Sequence, residues 1–243
     1  MSYILIIGAK SDIGKALARE YAKHGFDLCL AARNSAELEE FANDIIIRTK
    51  QTVKIAELDI LDYESHQSFY EKLQEKPFGV ISSVGYLGDQ QKAQSDFNEA
   101  QRIIDTNYTG VVSLLNIIAS DFEQRKSGFI AAISSVAGDR GRKSNYMYGS
   151  AKAALTAYLS GLRNRLNEVQ VQVLTVKPGF VNTKMTAGMD LPEKLTAQPG
   201  EVAEDIFKAQ QKGKSVIYSK SIWRYIMMII LKIPEAQFKK MSI

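Results

Sequence analysis

Short apolar runs recur along the chain at 3–7 (YILII), 27–31 (DLCLA), 53–58 (VKIAEL), 78–82 (FGVIS), 128–134 (GFIAAIS), 170–176 (QVQVLTV) and 215–218 (SVIY). Each has the length of a strand. Between them, apolar positions follow helical spacing over 13–24, 34–48, 62–75, 96–121, 145–167 and 200–211. Strands separated by helices pair in parallel, and the helices then cover both faces of the sheet. The pattern predicts an α/β fold with one doubly wound, seven-stranded parallel sheet. No Pro-, Gly- or Ser-rich linker and no internal repeat divides residues 1–220, so they read as one domain.

The tail, 221–243, breaks the pattern. It concentrates Ile222, Trp223, Ile226, Met227, Ile229, Ile230 and Leu231, edged by Lys220, Arg224, Lys232, Lys239 and Lys240. Such a segment suits a membrane interface, with Trp223, Arg224 and Tyr225 at the boundary. Its apolar stretch is too short to span a bilayer. The alternative is a helix packed on the domain or on a subunit partner.

Composition narrows the classes. Of 243 residues, 45% are apolar and 24% charged, which excludes a disordered chain. A net charge of +4 is too slight to imply nucleic acid. Cys29, the single cysteine, lies in an apolar run and reads as a buried hydrophobe, and two histidines without ligand spacing predict no metal. The N-terminus has neither a basic start nor a small-residue cleavage site. The expectation is a cytoplasmic protein, peripheral on the inner face of a membrane if the tail engages lipid.

Candidate chemistry begins after the first strand, in GAKSDIGKALAREYAKHG at 8–25. Gly8 permits a tight bend. The helix that Gly14 helps to open offers free N–H groups and a positive dipole end to a pyrophosphate. Asp12 is awkward there, since a carboxylate repels phosphate. Ser11 or Asp12 capping the helix would turn the side chain onto the first N–H groups.

A second candidate is SNYMYGSAK at 144–152. Residues four apart share a helix face, and residues two apart do not. Tyr148 therefore pairs with Lys152, while Tyr146 faces elsewhere, with substrate as one candidate. The helix follows a strand ending in Ser134-Ser135, and ligands sit at the carboxyl ends of strands in such sheets. A hydroxyl, a phenol and an ammonium there make an acid/base constellation.

In order along residues 1 to about 218, these motifs resemble those of the short-chain dehydrogenase/reductase family, which has the Rossmann fold. GAKSDIG resembles the cofactor loop and LDI at 58–60 the adenine-contacting turn. SSVG at 82–85 stands where Asn-Asn-Ala-Gly is usual. TNYTG at 106–110, ISSVAG at 133–138, YGSAK at 148–152 and KPGFVNT at 177–183 complete the series. The resemblance implies a catalytic set of Ser135, Tyr148, Lys152 and Asn107, with Ser134 on the opposite face of its strand. It implies cofactor contacts from Gly8, Lys10, Ser11, Asp12, Ile13, Gly14, Arg33, Asp59, Ile60, Gly85, Tyr148, Lys152, Pro178, Gly179, Val181 and Thr183. It also implies a homo-oligomer, a dimer or tetramer. Three departures from the family pattern put the loop geometry in doubt: Ile7 for threonine, Asp12 for the middle glycine, and Ser82-Ser83 for the two asparagines. Ser83 is expected to bond backbone as an asparagine would.

The implied chemistry is hydride transfer between a nicotinamide and a carbon bearing oxygen. Ser135 would hydrogen-bond the carbonyl, Tyr148 deliver the proton, and Lys152 favour the phenolate and hold the nicotinamide ribose. Asn107 would position a water leading to Lys152. After the second strand, LAARNSAEL has no acid until Glu37, whereas a carboxylate there would select NAD. Arg33 can pair with a 2′-phosphate, so NADP(H) is expected. The segment 184–200 is mildly apolar through Met185, Met189 and Leu191 and is expected to close over substrate.

GYLGDQ at 85–90, the missing asparagines and the basic-apolar tail are similar to a narrower group, the decaprenylphosphoryl keto-sugar reductases. That likeness implies a lipid-linked keto-sugar substrate. A soluble ketone or 3-ketoacyl reductase is the alternative within the enzyme class. Outside it stands a non-catalytic dinucleotide sensor or scaffold on the same fold.

Overall fold

A computed structural model describes residues 3–241. Among them, the strands are β1 (Tyr3–Ile7), β2 (Asp27–Ala32), β3 (Val53–Glu57), β4 (Gly79–Ser82), β5 (Phe129–Ile133), β6 (Gln172–Pro178), β7 (Phe180–Val181), β8 (Thr196–Ala197) and β9 (Val216–Ser219). Seven form one parallel sheet in the order β3-β2-β1-β4-β5-β6-β9, and β7 pairs with β8 apart from it. The seven predicted strands are all present, and the doubly wound sheet is as expected. The chain steps outward from β1 to β3, then returns to place β4 on the other side of β1. That reversal opens a crevice beyond the C-terminal ends of β1 and β4. Ile7 stands opposite Ala31 and Ser82, and Ile133 opposite Val176, so the loops that follow leave from one edge.

Alternation along the strands divides the core in two. Ile4, Ile6, Leu28 and Leu30 face α1 (Asp12–Lys23), α2 (Glu39–Thr49) and α8 (Pro199–Gln211). Leu5, Ile7, Cys29 and Ala31 face α3 (Ser65–Lys72), α6 (Gly110–Arg125) and α7 (Tyr146–Leu166). Cys29 is buried there as expected.

The helix expected over 96–121 is interrupted. After α4 (Gln90–Ser95), α5 (Phe97–Ile104) leads into a π-helical turn at Asp105–Thr109, and α6 starts at Gly110. The widened turn shifts the backbone by one residue and places Asn107 inward, fully buried. Helical periodicity runs on through such a turn and cannot reveal it.

The tail forms α9 (Ile222–Lys232) and α10 (Glu235–Phe238). One face packs on the domain: Trp223, Met227, Ile230 and Phe238 gather with Val136 and Phe180. Arg140 anchors this unit. It donates to the carbonyls of Ile230 (2.5 Å) and Ile233 (2.7 Å) and lies 3.7 Å from the Phe238 ring centroid. Trp223 is therefore no boundary residue. It is 4% exposed, donates to the Leu195 carbonyl, and meets Phe180 edge-on at 5.2 Å. The opposite face leaves Ile222, Tyr225, Met228, Ile229 and Leu231 exposed. Among the described residues, no helix is long and apolar enough to cross a membrane.

Candidate active site

The first turn is built on Gly8, whose φ of +78° suits glycine. A Cβ there would lie 2.9 Å from the Ser83 carbonyl oxygen. Ser11 supplies the cap of α1: its Oγ accepts the Gly14 N–H at 3.0 Å and donates to the Gly8 carbonyl at 2.8 Å. Ser83 bonds the Ser11 hydroxyl at 2.8 Å, so its side-chain partner is a side chain and not the backbone that was expected. The Asp12 carboxylate is turned to the far side of the cleft, where it accepts the Lys184 N–H at 2.7 Å. That contact resolves the awkwardness of an acid in this loop. Gly14 itself packs under the turn, where a Cβ would stand 2.6 Å from the Gly8 carbonyl.

Two adjoining cavities follow the C-terminal edge of the sheet. One, of about 520 Å³, is lined by Gly8, Lys10, Ser11, Arg33, Asn34, Ile60 and Gly85. The other, of about 270 Å³, is lined by Ile13, Ser135, Tyr148, Lys152, Pro178, Gly179, Val181 and Thr183. Lys10, Ser11, Ser83, Val84 and Gly85 line both, so they form one cleft. The narrow glycine turn, the capped helix end and this elongated cleft fit a dinucleotide. Asp59 lines neither cavity: its carboxylate takes the Leu61 N–H and stands 4.0 Å from Arg33. The acids near the end of β2 are engaged. Glu57 accepts the N–H groups of Asn34 and Ser35, and Glu37 pairs with Lys10 at 2.6 Å. Sequence reasoning missed Glu57, which organises the loop carrying Arg33 from the neighbouring strand β3, where it stands opposite Ala32.

At the catalytic end, β5 delivers Ser134 and Ser135 to opposite sides. Ser134 donates to the Lys152 carbonyl and meets Thr156, fastening α7 to the strand. Ser135 lines the cleft, and its Oγ accepts the Ala137 N–H at 3.1 Å, which leaves its own proton to donate. Burial pushes the Tyr148 phenol up to about 12, and the neighbouring Ser135 hydroxyl opposes the shift. Lys152 is 1% exposed and donates to the carbonyls of Ile133 (2.9 Å) and Val84 (3.2 Å). Burial pushes it down to about 7. Its Nζ lies 5.7 Å from the Tyr148 ring centroid, so the expected spacing brings the pair together on one face.

Asn107 lies behind this set. Its amide donates to the carbonyls of Tyr86 (2.6 Å) and Ile103 (2.8 Å), and its oxygen accepts the Tyr86 N–H at 3.1 Å. Both amide protons are thus engaged, one on the loop after β4 and the other on the end of α5. A Cβ on Gly85 would stand 3.6 Å from the Asn107 oxygen and 3.9 Å from the Lys152 nitrogen. Tyr146 is exposed and does not line the cleft, so it is not placed to face substrate. Met185 and Met189 do line it, while Leu191 does not. Arg142 and Asn145 also line it, and neither was singled out from the sequence.

Comparison with known proteins places the chain in a family. Residues 2–194 match the family model described as short chain dehydrogenase. A relative named as an uncharacterised oxidoreductase, from Mycobacterium tuberculosis, is 35% identical over 241 residues, covering 98% of this chain and 96% of its own. The chain belongs to the short-chain dehydrogenase family. Among solved structures, a short-chain dehydrogenase from Sphingobium yanoikuyae in complex with NADPH superposes with a TM-score of 0.83 at 24% identity, covering 98% of each chain. A bulky-bulky ketone specific alcohol dehydrogenase from Comamonas testosteroni superposes with a TM-score of 0.80 at 21% identity, covering 98% of this chain and 96% of its own. At these identities the two structures show the fold alone.

Proposed function

We propose that this chain is an NADP(H)-dependent reductase converting a ketone to an alcohol. The observation that carries the reading is the convergence of Ser135, Tyr148 and Lys152 on one cleft, with the phenol held protonated by burial. The cofactor, when bound, supplies the hydride. The rest falls to the chain's own groups. Ser135 donates a hydrogen bond to the substrate oxygen, where negative charge grows and a fixed donor is most effective. Tyr148 holds the proton that this oxygen receives. In its ammonium form, Lys152 donates two N–H groups to carbonyls and keeps a third for the cleft. Gly8, Ser11 and the N-terminal end of α1 would hold the phosphates, and Arg33 the 2′-phosphate. The engaged state of Glu57 and Glu37 supports that choice of cofactor, as does the NADPH bound by the Sphingobium protein.

NADPH oxidation with a panel of ketones tests the reading. Tyr148→Phe should lose about 10²–10⁴-fold in turnover, the usual worth of a general acid, while NADPH still binds. Tyr146→Phe should turn over normally. Near-normal kcat in Tyr148→Phe would overturn the assignment.

The outward face of α9 favours a second, compatible reading: peripheral attachment to an anionic membrane. Ile222, Tyr225, Met228 and Ile229 form an exposed apolar stripe, and Arg224, Lys232, Lys239 and Lys240 around it are exposed cations. A lipid-linked keto-sugar would suit an enzyme so placed.

A further inference from the structure

Arg142 is a buried cation that makes no ion pair among the described residues. It stands on the loop between β5 and α7, is 9% exposed, and lines the same cavity as Ser135 and Tyr148. Its Nη2 reaches the Met227 sulfur at 3.4 Å, a weak acceptor. Its Nε is sealed from solvent and has no hydrogen-bond partner among the described residues. The nearby carboxylate is already engaged: Asp139 takes Lys177 at 2.5 Å on one oxygen and the Tyr218 hydroxyl at 2.8 Å on the other. Asp12, the acid lining the cavity, faces the Lys184 N–H. Arg140, two residues earlier, shows the contrast. Two carbonyls, Glu235 and the Phe238 ring satisfy it, and it serves the fold.

Burying an unpaired charge is unfavourable, and burial pulls the Arg142 pKa down accordingly. An oxyanion arriving in the cavity would relieve that. Guanidinium is the side chain best shaped for the task, since its planar fork matches carboxylate and phosphate oxygens. Asn145 on the same wall has a buried Oδ1 without a donor, an acceptor suited to a hydroxyl or N–H of the ligand and not to its oxyanion. We infer that Arg142 anchors an anionic group, a phosphate ester or a carboxylate, on the substrate that enters this cleft. That the substrate also bears the ketone rests on the proposed reductase activity; the anion site does not.

The test is binding, read without turnover and with NADP⁺ already bound, so that the cofactor's own phosphates are accounted for. Phenyl phosphate and phenylacetate are titrated calorimetrically beside neutral benzyl alcohol. At least one anion should bind more tightly than the alcohol, and the stronger of the two identifies the source of the oxyanion. Arg142→Gln should weaken that anion roughly 10–100-fold, the range of a lost charged hydrogen bond. Arg142→Lys, which keeps the charge, should retain part of the affinity, and Met227→Leu should retain nearly all of it. The pair 4-oxopentanoate and its methyl ester gives a kinetic check, because their kcat/KM ratio should shift toward the ester in Arg142→Gln. Anions binding no better than benzyl alcohol would overturn the inference, as would equal anion affinity in Arg142→Gln. Anion binding without reduction of any ketone would overturn the reductase reading and leave the anion site standing.

Discussion

The Asp12 carboxylate accepts the backbone N–H of Lys184 at 2.7 Å, tying the first turn of α1 to the segment that borders the cleft. Where the family resemblance places a glycine, this chain has a strap. Asp12→Gly should free residues 184–190 and speed tryptic cleavage after Lys184. Asp12→Asn keeps an acceptor oxygen and should cleave like the unmutated protein. Because the contact is solvent-exposed, the loss in stability should stay below about 1.5 kcal/mol. Cleavage at one rate in all three proteins would show that the strap does not hold the segment.

Lys152 should write a pH dependence into stability. Its pKa falls from 10.5 to about 7 on folding, because burial disfavours the ammonium. Between those values the unfolded chain binds a proton that the folded one lacks, so stability rises with pH across the window. Below about 7 both states are protonated and the burial penalty is felt in full. Measured against Lys152→Met, the unmutated protein should therefore gain stability from about pH 7 upward. Denaturation midpoints at several pH values check this, and a pH-independent gap would mean the ammonium keeps its ordinary pKa.

Arg33 is 57% exposed on its side chain and stands 4.0 Å from Asp59 without closer pairing, so it is available to a 2′-phosphate. NADPH should bind more tightly than NADH. Arg33→Ala should weaken NADPH by about 1.5–3 kcal/mol and NADH much less. Superimposable titrations of the two cofactors on the unmutated protein would refute the choice.

Strand positions were legible because an apolar run six or so residues long between helices has one use in such a fold. The Tyr148–Lys152 face was legible because helical spacing alone sets it. Other features depend on contacts far apart in sequence. Nothing near Asn107 announces the π-helical turn that buries it. Nothing near Asp12 names Lys184, and nothing near Arg33 names Glu57 as the acid that shapes its loop. Arg142 looks like one basic residue among several in DRGRKS until the fold encloses it.

The tail offers the clearest choice between two roles, because its two faces differ. Trp223 backs the Pro178–Phe180 turn so closely that a Cβ on Gly179 would lie 1.9 Å from the indole. Removing 221–243 would uncover Val136 and Phe180 and strip Arg140 of its acceptors. That truncation should unfold the protein or weaken cofactor binding, so it cannot isolate a membrane role. Substitutions on the outward face can. Tyr225→Glu with Ile229→Lys alters exposed positions only and should leave the melting temperature within a few degrees. The unmutated protein should co-sediment with anionic vesicles at low salt and release as salt rises, with each basic residue near the surface adding about 1 kcal/mol. The double variant should stay in the supernatant. Trp223 fluorescence should change little on binding, since the indole is already buried in the free protein. Failure of the unmutated protein to co-sediment at low salt would end the membrane reading. A fall in oligomer size for the double variant would then assign the same stripe to a contact between copies of the chain.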